Sequence, residues 1–473
     1  MAPPQKALLK MIPAVDVLLQ DEEVATWADD LPRKVAVDSI RDAIEETRRQ
    51  IVAGDAQDCT EATIRAEIVA SARLKARAAL APHYCKAINA TGIVLHTGLG
   101  RAVLAPKALR QIADELSGYS VLQLSTETGK RSRRDERLEW LLQQITGCEA
   151  ATVVNNNAAA TLLALNTVAA GREVIVSRGQ LVEIGGAYRL PEVMRAAGVT
   201  LVEVGTTNKT HPHDYERAIG ENTAAILRVH PSNYKIMGFS AEVPLTTMIE
   251  IAHAHDLPLI DDVGAGALTD FTQFGFTDQE RLQDTLRAGS DITMSSADKL
   301  IGAAQGGIIL GKAKWIEAIR ANPIARAVRI GKLTFAALEA TLTLFLDEET
   351  LPDELPTLRM LARDRDDIAT QAERIADAVR QATSVPEIAA VEEGFSQMGS
   401  GSLPTQNVPT HLVSISPPAM TAEHLGARLR HASPPVFTRI HKDRVLIDPR
   451  TLQPGDEELL VEALRAILTG EQP

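Results

Sequence analysis

The sequence predicts an α/β protein, a mostly parallel sheet with helices on both faces, preceded by a helical segment and followed by a smaller α+β unit. Two observations predict the sheet. From about residue 86 short apolar runs recur: INATGIVLH, ATVVNN, EVIVS, VTLVEVG, AAILRVH, LPLIDDVG, DITMSS and GGIILG. These runs of about four to six residues, with roughly 10–25 residues of helical pattern between them, are what strands buried on both faces look like. A third observation sets the first 80 residues apart. In VDSIRDAIEETRRQIVAG, Val37, Ile40, Ile44 and Ile51 fall on one helical face and Gly54 ends the segment, and a second amphipathic stretch, EATIRAEIVASARLKARAAL, follows.

The bulk numbers agree with this division. A chain of 473 residues divides into two to four packed units, and 45% apolar with 23% charged residues is an ordinary globular composition. No apolar run approaches the roughly 20 residues that cross a bilayer, and acids interrupt the N-terminal stretch before any signal-peptide core. Cys59, Cys85 and Cys148 are too scattered for a disulfide framework or a zinc site, which fits a reducing cytoplasm. A formal charge of -13 and 3% aromatics argue against a generic nucleic-acid binder, though not against a local basic surface. The one basic run, Lys130, Arg131, Arg133, Arg134 and Arg137, is diluted by Asp135 and Glu136. The expected domains are a helical one over 1–65, a linker over 66–85, a core over 86–345 and a C-terminal α+β domain over 346–473. A long helix over 355–382 leads into the last, whose runs HLVSIS and VLIDP read as strands and AEHLGARLRHA and EELLVEALRAIL as helices.

Chemistry-bearing residues gather where the predicted strands end, the edge at which open α/β sheets bind ligands. In TMSSADKLIGAAQGGIILG, Lys299 lies between two buried strands, next to Ser296. Desolvation there lowers a lysine's pKa and favours a Schiff base, whereas the same residue in a surface loop does nothing. In LPLIDDVGAGAL a carboxylate ends an apolar strand and needs a cationic partner, for which a protonated pyridine nitrogen serves. Asp262 is the assigned residue and Asp261 the alternative. ATVVNNNAAATLLALN runs from a strand through Asn156, Asn157 and Ala158 into a helix, so that backbone N–H groups cradle a phosphate or Asn157 simply caps the helix. SRGQLVEIGGAYRLP and VHPSNYKIMGFS place Arg178, Glu183, His230, Ser232 and Asn233 just past strands. Arg101, in a Gly-rich turn, and Arg326 and Arg329, three apart and on one face if helical, suit an anion or else a solvated face.

The phosphate turn, strand-end aspartate and lysine together resemble fold-type-I pyridoxal-phosphate (PLP) enzymes of the aminotransferase-like class. The longer strings INATGIVLHTGLGRAVLA, ETGKRSRR, VVNNNAAATLLALN, SRGQLVEIGGAYRLPEVM, VGTTNKT, DDVGAGAL, SSADKLIGAAQGGIILG, NPIARAVRIGKL and SQMGSGSLP, in that order, resemble the bacterial selenocysteine synthases. The likeness covers about residues 10–465; the family usually has Asn and Pro near Gly98 and Val103, and Gly-Gly-Pro-Gln where this chain has Gly302-Ala303-Ala304-Gln305. It implies a transferase that turns L-seryl-tRNA(Sec) into L-selenocysteinyl-tRNA(Sec) with selenophosphate, through β-elimination to an aminoacrylyl intermediate and selenium addition. Lys299 then carries PLP and moves the α-proton, Asp262 holds the ring nitrogen protonated, and Asn156, Asn157, Ala158, Glu183, His230 and Ser296 complete the cofactor site. Arg101, Arg326 and Arg329 hold selenophosphate, residues 1–65 grip the tRNA, and dimers assemble into a ring. The rival readings are a PLP-dependent ammonia lyase acting on a phosphorylated amino sugar acid, which has no need of residues 1–80, and an RNA-binding or scaffold protein on an inactive PLP fold.

Overall fold

The computed structural model describes residues 3–54, 60–186, 188–231, 233–277, 279–400 and 402–470; Cys59 and Ser232 lie outside these. The chain divides into two units, Met1–Lys86 and Ala87–Pro473.

In the first unit, α1 (Arg33–Ala53) and α2 (Glu61–Leu80) pack side by side. Gly54 stops α1 in the left-handed region at φ 88°, a conformation that suits glycine. Thr60 opens α2 with a capping box shared with Thr63. Ile40, Ile44 and Ile51 of α1 and Ile64, Ile68, Ala72 and Ala76 of α2 are buried in one cluster with Trp27. Residues 66–80, expected as linker, are therefore helix. The reason is the i, i+4 spacing of Ile64, Ile68, Ala72 and Ala76, which gives α2 an apolar stripe to bury.

The second unit is built on a seven-stranded sheet of β1 (Ala150–Val154), β2 (Glu173–Ser177), β3 (Thr200–Val204), β4 (Thr223–Val229), β5 (Leu259–Gly264), β6 (Ile292–Ser296) and β7 (Gly307–Gly311). The spatial order is β1-β7-β6-β5-β4-β2-β3. β7 runs antiparallel to both its neighbours, and the other pairings are parallel. Helices cover both faces, so alternate residues enter different cores: Ile308 and Leu310 join one cluster and Ile309 the other. That two-sided burial is why these strands read as unbroken apolar runs. INATGIVLH is the exception. Only Ile88 and Asn89 are strand, paired with Val436 and Phe437, because Gly92 turns the chain at φ 71° where a Cβ would collide with Asp448.

The C-terminal part has a four-stranded sheet of β8 (Ala389–Gly399), β9 (Ser402–Ile415), β10 (Arg439–His441) and β11 (Arg444–Ile447), in the order β8-β9-β11-β10. The helix expected over 355–382 is two, Pro356–Ala362 and Arg365–Thr383, because Asp364 is extended and its side chain caps the second by accepting from Asp366 N at 2.7 Å. The β8–β9 hairpin also anchors the segment before Arg101. Val94 and Leu95 donate to the carbonyls of Gln397 and Met398, and the Thr97 and Ser400 hydroxyls lie 3.0 Å apart. No described helix is long and apolar enough to cross a membrane.

Candidate active site

Lys299 sits in the turn between the antiparallel strands β6 and β7. That turn is closed by backbone bonds alone: Ala297 N to Gly306 O, Gly302 N to Lys299 O and Ala303 N to Ala297 O. Its side chain is 5% exposed. Burial first, and then the Arg101 guanidinium, hold its amine below the usual lysine range, against the opposing pull of Asp298 and Asp262. Ser296, the last residue of β6, is buried opposite Gly307.

Strand alternation resolves the two aspartates. Asp261 turns to one face and accepts from Arg228 Nη1 at 3.0 Å, and that guanidinium also holds Glu280. Asp262 turns to the other face and meets the start of α3 (Asn157–Ala169). There it accepts from Asn157 Nδ2 and Thr161 Oγ1, each at 2.8 Å, and from Gly264 N at 3.1 Å. Burial pushes Asp262 above the usual carboxylate range, and these donors and Lys299 pull it back.

The asparagines divide their work differently from the simple cap expected for Asn157. Asn156 is the cap of α3, accepting from Ala159 N at 2.8 Å, which leaves Asn157 free to reach Asp262. Ala158, Ala159 and Ala160 follow with nothing larger than a methyl. On the sheet side the same turn is met by Gly307, where a Cβ would stand 2.2 Å from Asn156 O. A helix start bare of bulk, with the buried and unpartnered Asn157 Oδ1 beside it, fits a phosphorylated, nitrogen-bearing ring such as PLP. Lys299 would supply the amine and Asp262 the anion that such a ring requires.

Other expected residues fall in different places. His230 donates its backbone N–H to Asp262 O at 2.9 Å, while its ring acts on Glu280. Glu183 is a correction: its side chain is exposed and pairs with Arg189 at 3.0 Å, because the two-residue strand Glu183–Ile184 turns it outward. Ile184 and Tyr188, cross-strand partners, turn inward instead. Tyr188 and Thr161 escaped sequence reading. Burial, then the Asp262 charge, push the Tyr188 phenol well above the usual tyrosine range. The only signal in the sequence was Thr161 four residues after Asn157, on the same face of α3.

The arginines form two groups. Arg101, in the left-handed region at φ 65°, is bound to Asp298 at 2.6 Å, next to Lys299. Arg326 and Arg329 do not share a helix face, since the short helix Pro323–Ala327 ends between them. Arg329 instead bridges to Val154, and Asn155 N donates to Val328 O at 2.7 Å, which brings this segment to the end of β1. Arg134 joins them: burial, then the like charges of Arg329, Arg131 and Arg326, lower its guanidinium pKa. Among the described residues no carboxylate pairs with any of these four. Sequence reading had Arg131 and Arg134 only as part of a diluted basic run; their mates lie almost 200 positions away.

Comparison with known proteins finds relatives over nearly the whole chain. A model described as L-seryl-tRNA selenium transferase matches residues 87–453, and one for the selenocysteine synthase N terminal matches 9–48. The L-seryl-tRNA(Sec) selenium transferase of Nitratidesulfovibrio vulgaris is 43% identical over 98% of this chain and 99% of its own. That of Alkaliphilus metalliredigens is 42% identical over 97% and 98%. Among solved structures, a D-glucosaminate-6-phosphate ammonia-lyase aligns with a TM-score of 0.56 at 22% identity, over 82% of this chain and 96% of that one, a likeness of fold alone. With a family model matching residues 87–453 and relatives matched over nearly their full length, this chain belongs to the L-seryl-tRNA selenium transferase family.

Proposed function

We propose that this protein converts L-seryl-tRNA(Sec) to L-selenocysteinyl-tRNA(Sec) with selenophosphate, using PLP carried on Lys299. The observation that carries the reading is a buried, pKa-depressed lysine facing an aspartate held by Asn157 and Thr161, in a chain matched over its full length by selenium transferases. PLP, when bound, supplies an electron sink. The protein does the rest. Asp262 keeps a proton on the ring nitrogen, the first turn of α3 and its N–H groups hold the phosphate, and Ser296 and the His230 strand end line the cradle. Lys299 Nζ, whose charge burial disfavours, would take the seryl Cα proton. Overall the seryl Cβ would exchange its hydroxyl, lost as water, for selenium, with phosphate released from selenophosphate.

Arg326 and Arg329, with Arg134 and Arg131, hold selenophosphate, and Arg101 orders Asp298 beside Lys299. Replacing Arg326 or Arg329 with Ala should cost about 1.5–3 kcal/mol of charge-assisted bonding, roughly ten- to a hundredfold in kcat/KM for selenophosphate. Binding of seryl-tRNA should stay near wild type. Lysine at either position should rescue part of the loss, since it keeps the charge without the planar fork. Wild-type selenophosphate kinetics in both alanine variants would remove the assignment.

The first unit grips the tRNA, dimers join into a larger ring, and the reaction runs in the cytoplasm, where the aminoacylated tRNA is. Because α2 extends to Leu80, the clean truncation removes residues 1–86. The remainder should fold and take up PLP, and a gel shift should register loss of binding to selenocysteine tRNA. Undiminished tRNA binding by that truncation would reduce the first unit to a packing arm. The whole reading is tested by incubating PLP-loaded protein with seryl-tRNA(Sec) and selenophosphate and identifying the esterified amino acid by mass. Selenocysteine is expected; unchanged serine would contradict the reading, and release of ammonia from a phosphorylated amino sugar acid would favour a lyase.

A further inference from the structure

We propose that Arg320 is a positioning residue for the anion site: with Glu139, Arg133 and Glu317 it closes a ring of alternating charges that holds Arg134 beside Arg326 and Arg329. The inference rests on the selenophosphate reading of those arginines and adds the part of the chain that presents them. Arg320, on the helix Ala313–Ala321, meets Glu139 Oε1 at 2.8 Å and Glu317 Oε1 at 2.6 Å. Arg133 meets the same two side chains, Glu139 through its other oxygen and Glu317 at 3.5 Å. Arg320 Nε also binds Asp135 Oδ2 at 3.0 Å, and that oxygen accepts from Thr152 Oγ1 at 2.8 Å. Arg133 and Asp135 are therefore both spent on this network. Arg134, the residue between them, is left without a carboxylate among the described residues.

The open edge of β1 sets the spacing. β1 is the outer strand of its sheet, and the backbone groups on its free side need partners. Ala151 N donates to Glu139 Oε1 at 3.2 Å, and Ala151 O accepts from Arg320. Further along, Val154 bridges to Arg329, and Asn155 N donates to Val328 O. One strand edge thus seats the charge ring at Ala151 and Thr152 and the Arg329 segment at Val154. Two strand residues separate Thr152 from Val154, roughly 7 Å. Arg134 adjoins the Asp135 that Thr152 holds, so its backbone is fixed a short way from Arg329. The helix that carries Arg320 also runs through Asn322 into Pro323–Ala327, which carries Arg326. Like charges repel, so an arginine stays among others only if its backbone is pinned. The ring pins it with carboxylates that are already occupied, and the anion site keeps its positive charge.

The test is steady-state kinetics on the full-length, PLP-loaded protein, with seryl-tRNA(Sec) saturating and selenophosphate varied. Arg134→Ala should raise KM for selenophosphate roughly tenfold, the lower end for one charge-assisted bond. Arg320→Met keeps the aliphatic stem and opens the ring. It should raise that KM roughly three- to tenfold with kcat close to wild type, because the anion is held less well while the chemistry is untouched. Arg320→Lys, which keeps the charge without the fork, should lie between wild type and Arg320→Met. The double variant Arg134→Ala/Arg320→Met should match Arg134→Ala alone, since Arg320 acts through Arg134. Should Arg320→Met melt far below wild type, Glu139→Gln, which keeps an oxygen for Ala151 N, takes its place with the same expected rise. A wild-type KM in a folded ring variant, or two KM increases that multiply in the double variant, would overturn the positioning role and leave Arg326 and Arg329 as the anion site. A wild-type KM in Arg134→Ala would overturn it too, since nothing would remain for the ring to present. Wild-type protein that cannot use selenophosphate would overturn both this inference and the reading beneath it.

Discussion

Lys299→Ala is expected to yield a folded protein that has no visible cofactor band near 420 nm (a rough position for such Schiff bases) and turnover at background. The fold should survive because the turn carrying Lys299 is closed by main-chain bonds from Ala297, Gly302 and Ala303, none of which uses the lysine side chain. Removing a buried amine whose pKa burial has lowered even relieves a desolvation cost, so the melting temperature should stay within a few degrees of wild type. The chemistry should not survive, since Lys299 is both the attachment point and the group that moves the Cα proton. Added PLP would still be drawn to the first turn of α3, but without a covalent anchor. Activity that persists in this variant would mean that another amine does the work.

Asp262→Asn carries the second large effect. The carboxylate is buried with three hydrogen-bond donors turned on it, and an amide there presents an N–H₂ to at least one of them. It also withdraws the carboxylate charge that would face the ring nitrogen. Losing one partner of a buried ion pair costs about 3–5 kcal/mol, which corresponds to roughly a hundred- to a thousandfold or more in rate when the pair is needed in the transition state. Asp261→Asn should be mild by comparison, within about tenfold. Burial, partly offset by Arg228, pushes its carboxyl up to about 7, so a neutral amide resembles what it already is for much of the time. This raised pKa has a thermodynamic consequence. The folded state binds a proton at Asp261 that the unfolded chain, with an ordinary aspartate near 3.8, releases, so this group's contribution to stability falls as pH rises from about 4 to about 7. Melting curves of Asp261→Asn across that window should lack this decline. A crippled Asp261→Asn with an active Asp262→Asn would reverse the assignment of the two residues.

Much of this site was legible in the chain before its structure, and the reason is local. A strand buried on both faces is a continuous apolar run, so β1, β4, β6 and β7 announce themselves, and a polar residue at such a run's end is conspicuous. Lys299 and Asp262 stand out for that reason. What was hidden depends on alternation over very short elements or on distant pairing. Two-residue strands carry too little pattern to tell that Glu183 turns outward and Tyr188 inward. The partnership of Arg134 with Arg326 and Arg329 joins segments far apart in sequence through the bridge between Val154 and Arg329. The end of the Pro323–Ala327 helix two residues before Arg329 likewise follows from the segment's pairing with Asn155, a long-range contact that no local propensity encodes. Asn156 rather than Asn157 caps α3, a place that either residue suits. Only the approach of β5 decides which of them is needed elsewhere.

Lys299 as the residue that carries the cofactor is tested by one measurement that needs no substrate. PLP-loaded protein is treated with borohydride, which fixes a Schiff base as a stable secondary amine, and is then digested and its peptides weighed. The peptide spanning Ser296 to Gln305 should carry the added mass of the reduced cofactor on Lys299, at close to one per chain. A full complement of cofactor found instead on a different lysine, with the Lys299 peptide unmodified, would contradict the account.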